Sequence, residues 1–318
     1  MRVAICIGTF RRPDLLQKLL AGLSHLAFEK MPPPELEVIV VDNDPLGSAG
    51  AVCKSAALPY ALKYAIEPRR GIASARNCAV REAGSADFLA FIDDDEVPSP
   101  RWLDELIWTQ SKYQADVVAG PVQPQFIGDV PLWIRSGGFF DRPDLPTGAP
   151  LDKCGAGNTL VSRRVFARVP GFDERFQLTG GEDTHFFLRV RRAGFSIVGS
   201  RFAVAHEAIT VSRANLRWIL HRGYQTGNSW VLCELALDGG WRVRIARFCK
   251  ASVHVLHGLA SALPSIFQGK AALGRSLRKV FWGAGMLAGL CGRRYLAYAC
   301  AAEAPVNASA RLSEHAAP

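Results

Sequence analysis

The chain has 318 residues, of which 49% are hydrophobic and 21% charged. That is enough for one large α/β domain with an appendage, and ordinary Gly and Pro contents exclude a fibrous or wholly disordered protein. The net charge of +9 is local, since residues 241–300 hold ten Lys/Arg and no Asp or Glu, which leaves −1 for the rest; the pattern implies a confined anionic partner and excludes steering by the whole surface.

The opening run, 3–8, reads as a strand, and it is too short before Thr9, Arg11 and Arg12 to be the apolar core of a secretory signal. Further strands are expected at 37–42, 61–66, 87–93 and 116–120. Val38-Ile39-Val40-Val41 and Phe88-Leu89-Ala90-Phe91-Ile92 are apolar at consecutive positions, as in a parallel sheet covered on both faces. Helical spacing lies between them at 13–26, 48–57, 73–83 and 100–113. Pro13 and Pro100 suit a first turn, and Ser99 suits a cap. The β-α-β-α order predicts a mainly parallel sheet flanked by helices. Residues 121–180, rich in Pro and Gly, are expected to form irregular loops lining a site. A helix is expected over 181–193, stopped by Gly194, followed by apolar 196–205 and helical sequence from Arg213. This divides the chain into an α/β half (1–120), a loop-rich half (121–235), a basic helical segment (241–302) and a disordered tail (303–318). Eight cysteines without a C-x-x-C pair point to reduced core thiols, not to zinc or disulfides.

Two stretches carry chemistry. Phe88-Leu89-Ala90-Phe91-Ile92 ends in Asp93-Asp94-Asp95-Glu96. In an open α/β sheet, ligands bind beyond the carboxyl ends of the strands. Adjacent carboxylates repel unless a cation joins them, and a hard divalent ion bridging phosphate oxygens is the natural one. The second stretch is Thr179-Gly180-Gly181-Glu182-Asp183-Thr184, where glycines allow close backbone approach and acids open a helix. Such acids also complement a helix dipole, worth about 0.3–1 kcal/mol.

With these motifs the chain resembles the family 2 inverting glycosyltransferases of GT-A fold. The matching pieces are Ile7-Gly8-Thr9-Phe10-Arg11-Arg12, Val41-Asp42-Asn43, Gly71-Ile72-Ala73-Ser74-Ala75-Arg76-Asn77, Ile92-Asp93-Asp94-Asp95, Gly155-Ala156-Gly157-Asn158 and Gly181-Glu182-Asp183. Trp218…Arg222…Gly227 and Gly289…Gly292…Tyr295…Tyr298 resemble bacterial enzymes that build exopolysaccharide units on lipid carriers. The resemblance implies that Thr9, Arg11, Asp42, Asn43, Arg76, Asn77, Asp93 and Asp94 bind the nucleotide-sugar. Asp42 would accept the uracil imide N–H, and Arg76 would neutralise the nucleotide. Asp93 would bind ribose, and Asn77 would contact the nucleotide or fix its loop. Asp95 would hold Mn²⁺ or Mg²⁺, and His206 is a further candidate ligand, although a single histidine is more often structural. Asn158 either meets the acceptor or shapes its turn. Asp183 would be the general base of an in-line displacement, with Glu182 beside it, and Arg189 an ion-pair partner on the same helix.

The implied partners are a UDP-sugar donor, a polyprenyl-linked saccharide acceptor and an anionic membrane surface at the cytoplasmic face of the inner membrane. The basic segment reads as helices lying in that interface. It lacks the polar and aromatic interleaving of a nucleic-acid platform. Two rivals are a sugar nucleotidyltransferase and a non-catalytic membrane-bound sensor. The first wants a Gly-rich loop after strand one, which Thr9-Phe10-Arg11-Arg12-Pro13 is not. Retention of both Asp95 and Asp183 speaks against the second.

Overall fold

The computed structural model describes residues 1–142 and 144–297; Tyr298, Cys300 and the expected 303–318 tail lie outside the described residues. In chain order, β1 (Arg2–Thr9) leads through α1 (Pro13–Leu23), β2 (Glu35–Asp42), α2 (Gly50–Ser55), β3 (Ala61–Ile66) and α3 (Ile72–Glu82) to β4 (Phe88–Phe91). Then come β5 (Glu96–Pro98), α4 (Trp102–Tyr113), β6 (Val117–Ala119), β7 (Val122–Ile127), α5 (Leu132–Arg135), β8 (Thr159–Ser162) and α6 (Arg163–Arg168). A 3₁₀ turn at Glu174–Phe176 precedes α7 (Glu182–Arg192), β9 (Ile197–Gly199) and β10 (Ala205–Thr210). Three long helices close the described chain, α8 (Leu216–Leu237), α9 (Trp241–Gln268) and α10 (Lys270–Leu290).

The main sheet has the order β3-β2-β1-β4-β8-β6-β9. All its pairs are parallel except those of β8, which runs antiparallel to both β4 and β6. The apolar runs behave as a two-faced strand requires. Val38 and Val40 join Leu16, Leu19 and Leu23 of α1 and Leu103 and Leu106 of α4 on one face. Ile39 and Val41 join Ala75 and Ala79 of α3 and Phe186 and Val190 of α7 on the other. Alternation along a strand sends neighbours to opposite faces, so each run fills two cores. A second sheet, β5-β10-β7, stands beyond the end of β4.

Several boundaries differ from expectation. Pro13 takes its first-turn place, but α1 ends at Leu23, because the chain turns so that Ala27 N–H meets the Pro100 carbonyl at 2.8 Å. Ser99 does not cap α4: the helix starts at Trp102 and no side chain caps it. The Pro/Gly-rich 121–180 stretch is more regular than loops alone, since it holds β7, α5, β8 and α6. Cys249 and Cys291 are exposed thiols, contrary to the expectation of core cysteines, whereas Cys6, Cys53, Cys78 and Cys233 are buried.

Helix α10 packs between α8 and α9. A Cβ on Gly285 would stand 2.0 Å from the Tyr224 carbonyl oxygen, so the α8–α10 crossing depends on glycine there. Among the described residues no helix is long and apolar enough to cross a membrane.

Candidate active site

The carboxyl ends of β1, β2 and β4 place their loops side by side, and α3 and α7 point their N-termini at the same edge. Thr9, the last residue of β1, is buried and donates through Oγ1 to Asp94 Oδ2 at 2.9 Å. Arg12 Nη1 reaches Asp94 Oδ1 at 3.1 Å and Asp95 Oδ2 at 3.4 Å. From the far side Arg213 Nη1 donates to Asp95 Oδ2 at 3.0 Å, while its Nη2 holds Glu207 of β10. The acidic loop is thus gripped between two arginines.

Arg76, on the first turns of α3, is the central cation. Its buried guanidinium donates from Nη1 to Glu182 Oε1 and from Nη2 to Asp93 Oδ1, the latter at 2.9 Å. One side chain therefore ties the end of β4 to the start of α7. Burial opposes its charge, but Asp93 and Glu182 outweigh that and push its pKa up. Glu182 faces the opposite balance, because burial and Asp183 raise it to about 7 in spite of Arg76. Its Oε2 is buried without a hydrogen-bond partner among the described residues.

Asp183 follows Gly181, whose φ of 93° turns the chain into α7. Its Oδ1 accepts from Thr184 N–H at 2.6 Å. Among the described residues its Oδ2 has only the Ala156 N–H at 3.4 Å, the outer limit of a hydrogen bond. Half-buried and lightly bonded, Oδ2 has lone pairs left to take a proton.

Four residues expected at or near the ligand are tied into the protein by internal bonds. Both oxygens of Asp42 accept internal bonds, from Asp44 N–H at 3.0 Å, Ala49 N–H at 2.7 Å and the Tyr64 hydroxyl at 3.0 Å. The side chain is fully buried, and through these bonds the carboxylate shapes its own loop. Asn43 donates to the Glu67 and Arg69 carbonyls and accepts from Gly71 N–H, which fixes the approach to α3. Asn77 clips α3 to Phe172, donating to its carbonyl at 2.8 Å and accepting its N–H at 2.7 Å. Both amides fix the chain around α3. Asn158, at φ 61°, donates to the Pro121 and Ala203 carbonyls and accepts from Trp102 Nε1, so it shapes its turn. Arg11, also at positive φ, pairs with Asp44 at 3.0 Å. Arg189, expected as an ion-pair partner on its helix, donates to the carbonyls of Pro170 and Gly171 and makes no ion pair among the described residues.

Hard carboxylate oxygens are the donors that Mn²⁺ and Mg²⁺ take, and Mg²⁺ commonly uses only one or two of them plus substrate phosphates. The acidic loop fits that demand. Burial, Asp93 and Asp94 push Asp95 up to about 6 although Arg213 opposes them. Burial, Asp93 and Asp95 raise Glu96 as well. The site carries more negative charge than its arginines neutralise. Among the described residues no three His, Cys, Asp or Glu form a closed metal site. Among the described residues no closed group of three ligands brings His206 to Asp95. His206 is next to Glu207 on β10, where successive side chains point to opposite faces, and Glu207 is the one that shares Arg213 with Asp95.

A profile described as Glycosyl transferase family 2 matches residues 4–169, from β1 through the acidic loop and β8. The chain belongs to this family. A second profile, described as the N-terminal domain of galactosyltransferase, matches residues 145–211, the span that holds the 155–158 turn and Asp183. The succinoglycan biosynthesis protein ExoM of Rhizobium meliloti (strain 1021) is 33% identical over 307 residues, covering 92% of this chain and 94% of that protein. Validoxylamine A glucosyltransferase of Streptomyces hygroscopicus subsp. limoneus is 26% identical, over 65% of this chain and 51% of its own length. The mannosyltransferase PcManGT from Pyrobaculum calidifontis, solved in complex with GDP-Man and Mn²⁺, shares the fold: its TM-score is 0.65 over 92% of this chain and 88% of that one, at 16% identity. As a member of the family the chain is a glycosyltransferase, and its sheet and flanking helices are the GT-A architecture expected from the sequence.

Arg12, Arg213 and Glu207 were not assigned roles from the sequence. Arg12 lies inside a motif that drew attention to its neighbours. Arg213 and Glu207 come to Asp95 from more than a hundred residues away, and nothing local marks them.

Proposed function

We propose that the protein transfers a hexose from a UDP-sugar, with inversion, to a polyprenyl-linked saccharide at the cytoplasmic face of an anionic membrane, as one step of bacterial polysaccharide synthesis. The observation that carries this is the Asp93–Arg76–Glu182 bridge, which sets the acidic loop beside Asp183. Likeness to a succinoglycan biosynthesis protein supports the polysaccharide assignment. In the reaction an acceptor hydroxyl oxygen bonds to the anomeric carbon as the bond from that carbon to the diphosphate oxygen breaks. The diphosphate leaves with the electron pair, and Asp183 Oδ2 takes the hydroxyl proton. A general base of this kind contributes about 10²–10⁴-fold. Asp95, with Asp93 beside it, would hold a divalent cation, which supplies Lewis-acid stabilisation of charge on a diphosphate. Arg76 keeps the acidic loop and the base in register, and Arg12 and Arg213 are placed to exchange Asp95 for phosphate oxygens. The test is UDP release from UDP-glucose and UDP-galactose with Mn²⁺ and a short-chain prenyl diphosphate saccharide. Release that depends on the acceptor supports the proposal. No release from either donor refutes it.

A further inference from the structure

Helix α9 leaves one face bare. Trp241, Ile245, Phe248, Leu256, Leu263 and Phe267 are all exposed, with Phe267 at 92%, Leu263 at 71% and Trp241 at 68%. Their spacing confines them to an arc of roughly 100° on a helix of 3.6 residues per turn. The opposite face carries Ala251, Gly258 and Ser265, which are buried against α10. The stripe follows a helix of 28 residues, a length of roughly 40 Å. A continuous apolar strip of this size is more than the scattered exposed residues of an ordinary surface.

Charge identifies what covers it. Between residues 241 and 290 there are eight Lys/Arg and no Asp or Glu. Arg242, Arg244 and Lys270 are exposed beside the strip. A second copy of the chain would set this positive rim against its own likeness, which is repulsive. Residues 298–318 bring only Tyr298, Cys300, Val306 and Leu312 as sizeable apolar groups, too few to cover the strip. Anionic headgroups meet both demands, because they pair with the rim while the acyl boundary takes the apolar side chains.

We infer that α9 lies flat in the interface of an anionic phospholipid bilayer, with the Trp241–Phe267 strip inserted and α10 holding the catalytic body on the water side. This rests on the membrane part of the proposed function and names the surface that performs it. It also accounts for a helix that packs on α10 alone along most of its length: the bilayer is its second neighbour. Each Lys or Arg close to an anionic surface adds about 1 kcal/mol, so binding falls with salt.

The test is flotation of the full chain with phosphatidylglycerol–phosphatidylcholine vesicles and with pure phosphatidylcholine vesicles. The wild type should float with the anionic vesicles and be at least partly released by high salt. L256S/L263S should partition at least tenfold less, whereas F202S, at an exposed phenylalanine far along the chain, should match the wild type. Because a double variant can disturb the helix, a second variant reads the same contact: Leu263→Cys, with Cys249 and Cys291 changed to Ser, carries an environment-sensitive dye. Its emission should shift to the blue on anionic vesicles alone. Equal flotation of wild type and L256S/L263S, unchanged dye emission, or equal binding to neutral vesicles overturns the inference. So does a concentration-dependent dimer in sedimentation that L256S/L263S abolishes while vesicles remain unbound. Nucleotide-sugar turnover measured without vesicles is a separate readout. Its absence from the wild type counts against the proposed reaction and leaves the vesicle result to stand or fall by itself.

Discussion

Replacing Arg76 with Met removes the cation from between Asp93 and Glu182, and the structure says how the damage depends on pH. In the wild type Glu182 sits at about 7, against an ordinary 4.5. Between those values the folded protein keeps a proton that the unfolded chain has lost. The stability from this group is therefore complete below pH 4.5 and is lost as pH rises through 7. Above that the wild-type carboxylate is ionised beside Arg76 and the decline stops. Without Arg76 the carboxylate resists ionisation further, so the decline continues at about 1.4 kcal/mol per pH unit. An unpaired buried charge costs about 3–5 kcal/mol in total, so the extra loss should run for roughly two to four pH units. Asp93, with its side chain 41% exposed, adds little, since exposed pairs contribute under about 1 kcal/mol. Urea unfolding of both proteins by circular dichroism at pH 6, 7, 8 and 9 reads this directly. The gap between them should be smallest at pH 6 and widen to pH 9. A gap that stays constant, or narrows as pH rises, refutes the argument that Arg76 holds Glu182 in its charged form.

Asp183→Asn should lower kcat by at least about 10²-fold with little change in KM for the donor. Steady-state kinetics check this, and near-normal turnover would move the base to Glu182. Asp95→Asn should weaken UDP binding in the presence of Mn²⁺ and leave it nearly unchanged with chelator, as read by calorimetry. Burial and Arg189 pull His185 down to about 4, so its stabilising contribution is complete above the ordinary value of 6.5 and is lost as pH falls through 4. His185→Phe, which keeps the ring contact with Phe176, should therefore be less sensitive to acid, by about 1–2 kcal/mol at pH 4.5 after solvent screening; thermal melts from pH 7 to 4.5 test it. Asn158→Leu strands the Trp102 indole N–H and two carbonyls in the core, and should cost at least about 3 kcal/mol in denaturant unfolding.

The parts of the fold that could be read from the chain are those where burial dictates composition. Val38–Val41 and Phe88–Ile92 must be apolar on both faces, and that is visible without coordinates. Strand β8 was not visible, because four residues amid glycines and prolines give no period to count. The acidic loop was legible because three carboxylates in a row at a strand end are physically costly. The asparagines were not. An amide both donates and accepts and suits a ligand or a neighbouring backbone alike, and only coordinates reveal the Phe172, Glu67 and Ala203 main-chain groups that Asn77, Asn43 and Asn158 hold. Arg213 was missed for a related reason: a lone arginine after a short strand says nothing of a carboxylate 118 residues earlier.

The antiparallel β8 has a consequence for how the protein is made. Synthesis delivers β1 to β4 first, and these can pair as they emerge. On its other side, however, β4 waits for Thr159–Ser162, and β6, although already synthesised, joins the sheet only through that same strand. For some seventy residues of elongation, counted from the end of β4 to the end of β8, a nascent chain exposes an apolar edge at Phe88–Phe91. Such an edge is a template for the wrong partner. A fragment ending near residue 120, which looks like a natural nucleotide-binding unit, should therefore aggregate on the ribosome or in the cell, while one extended past β8 should be soluble enough to study.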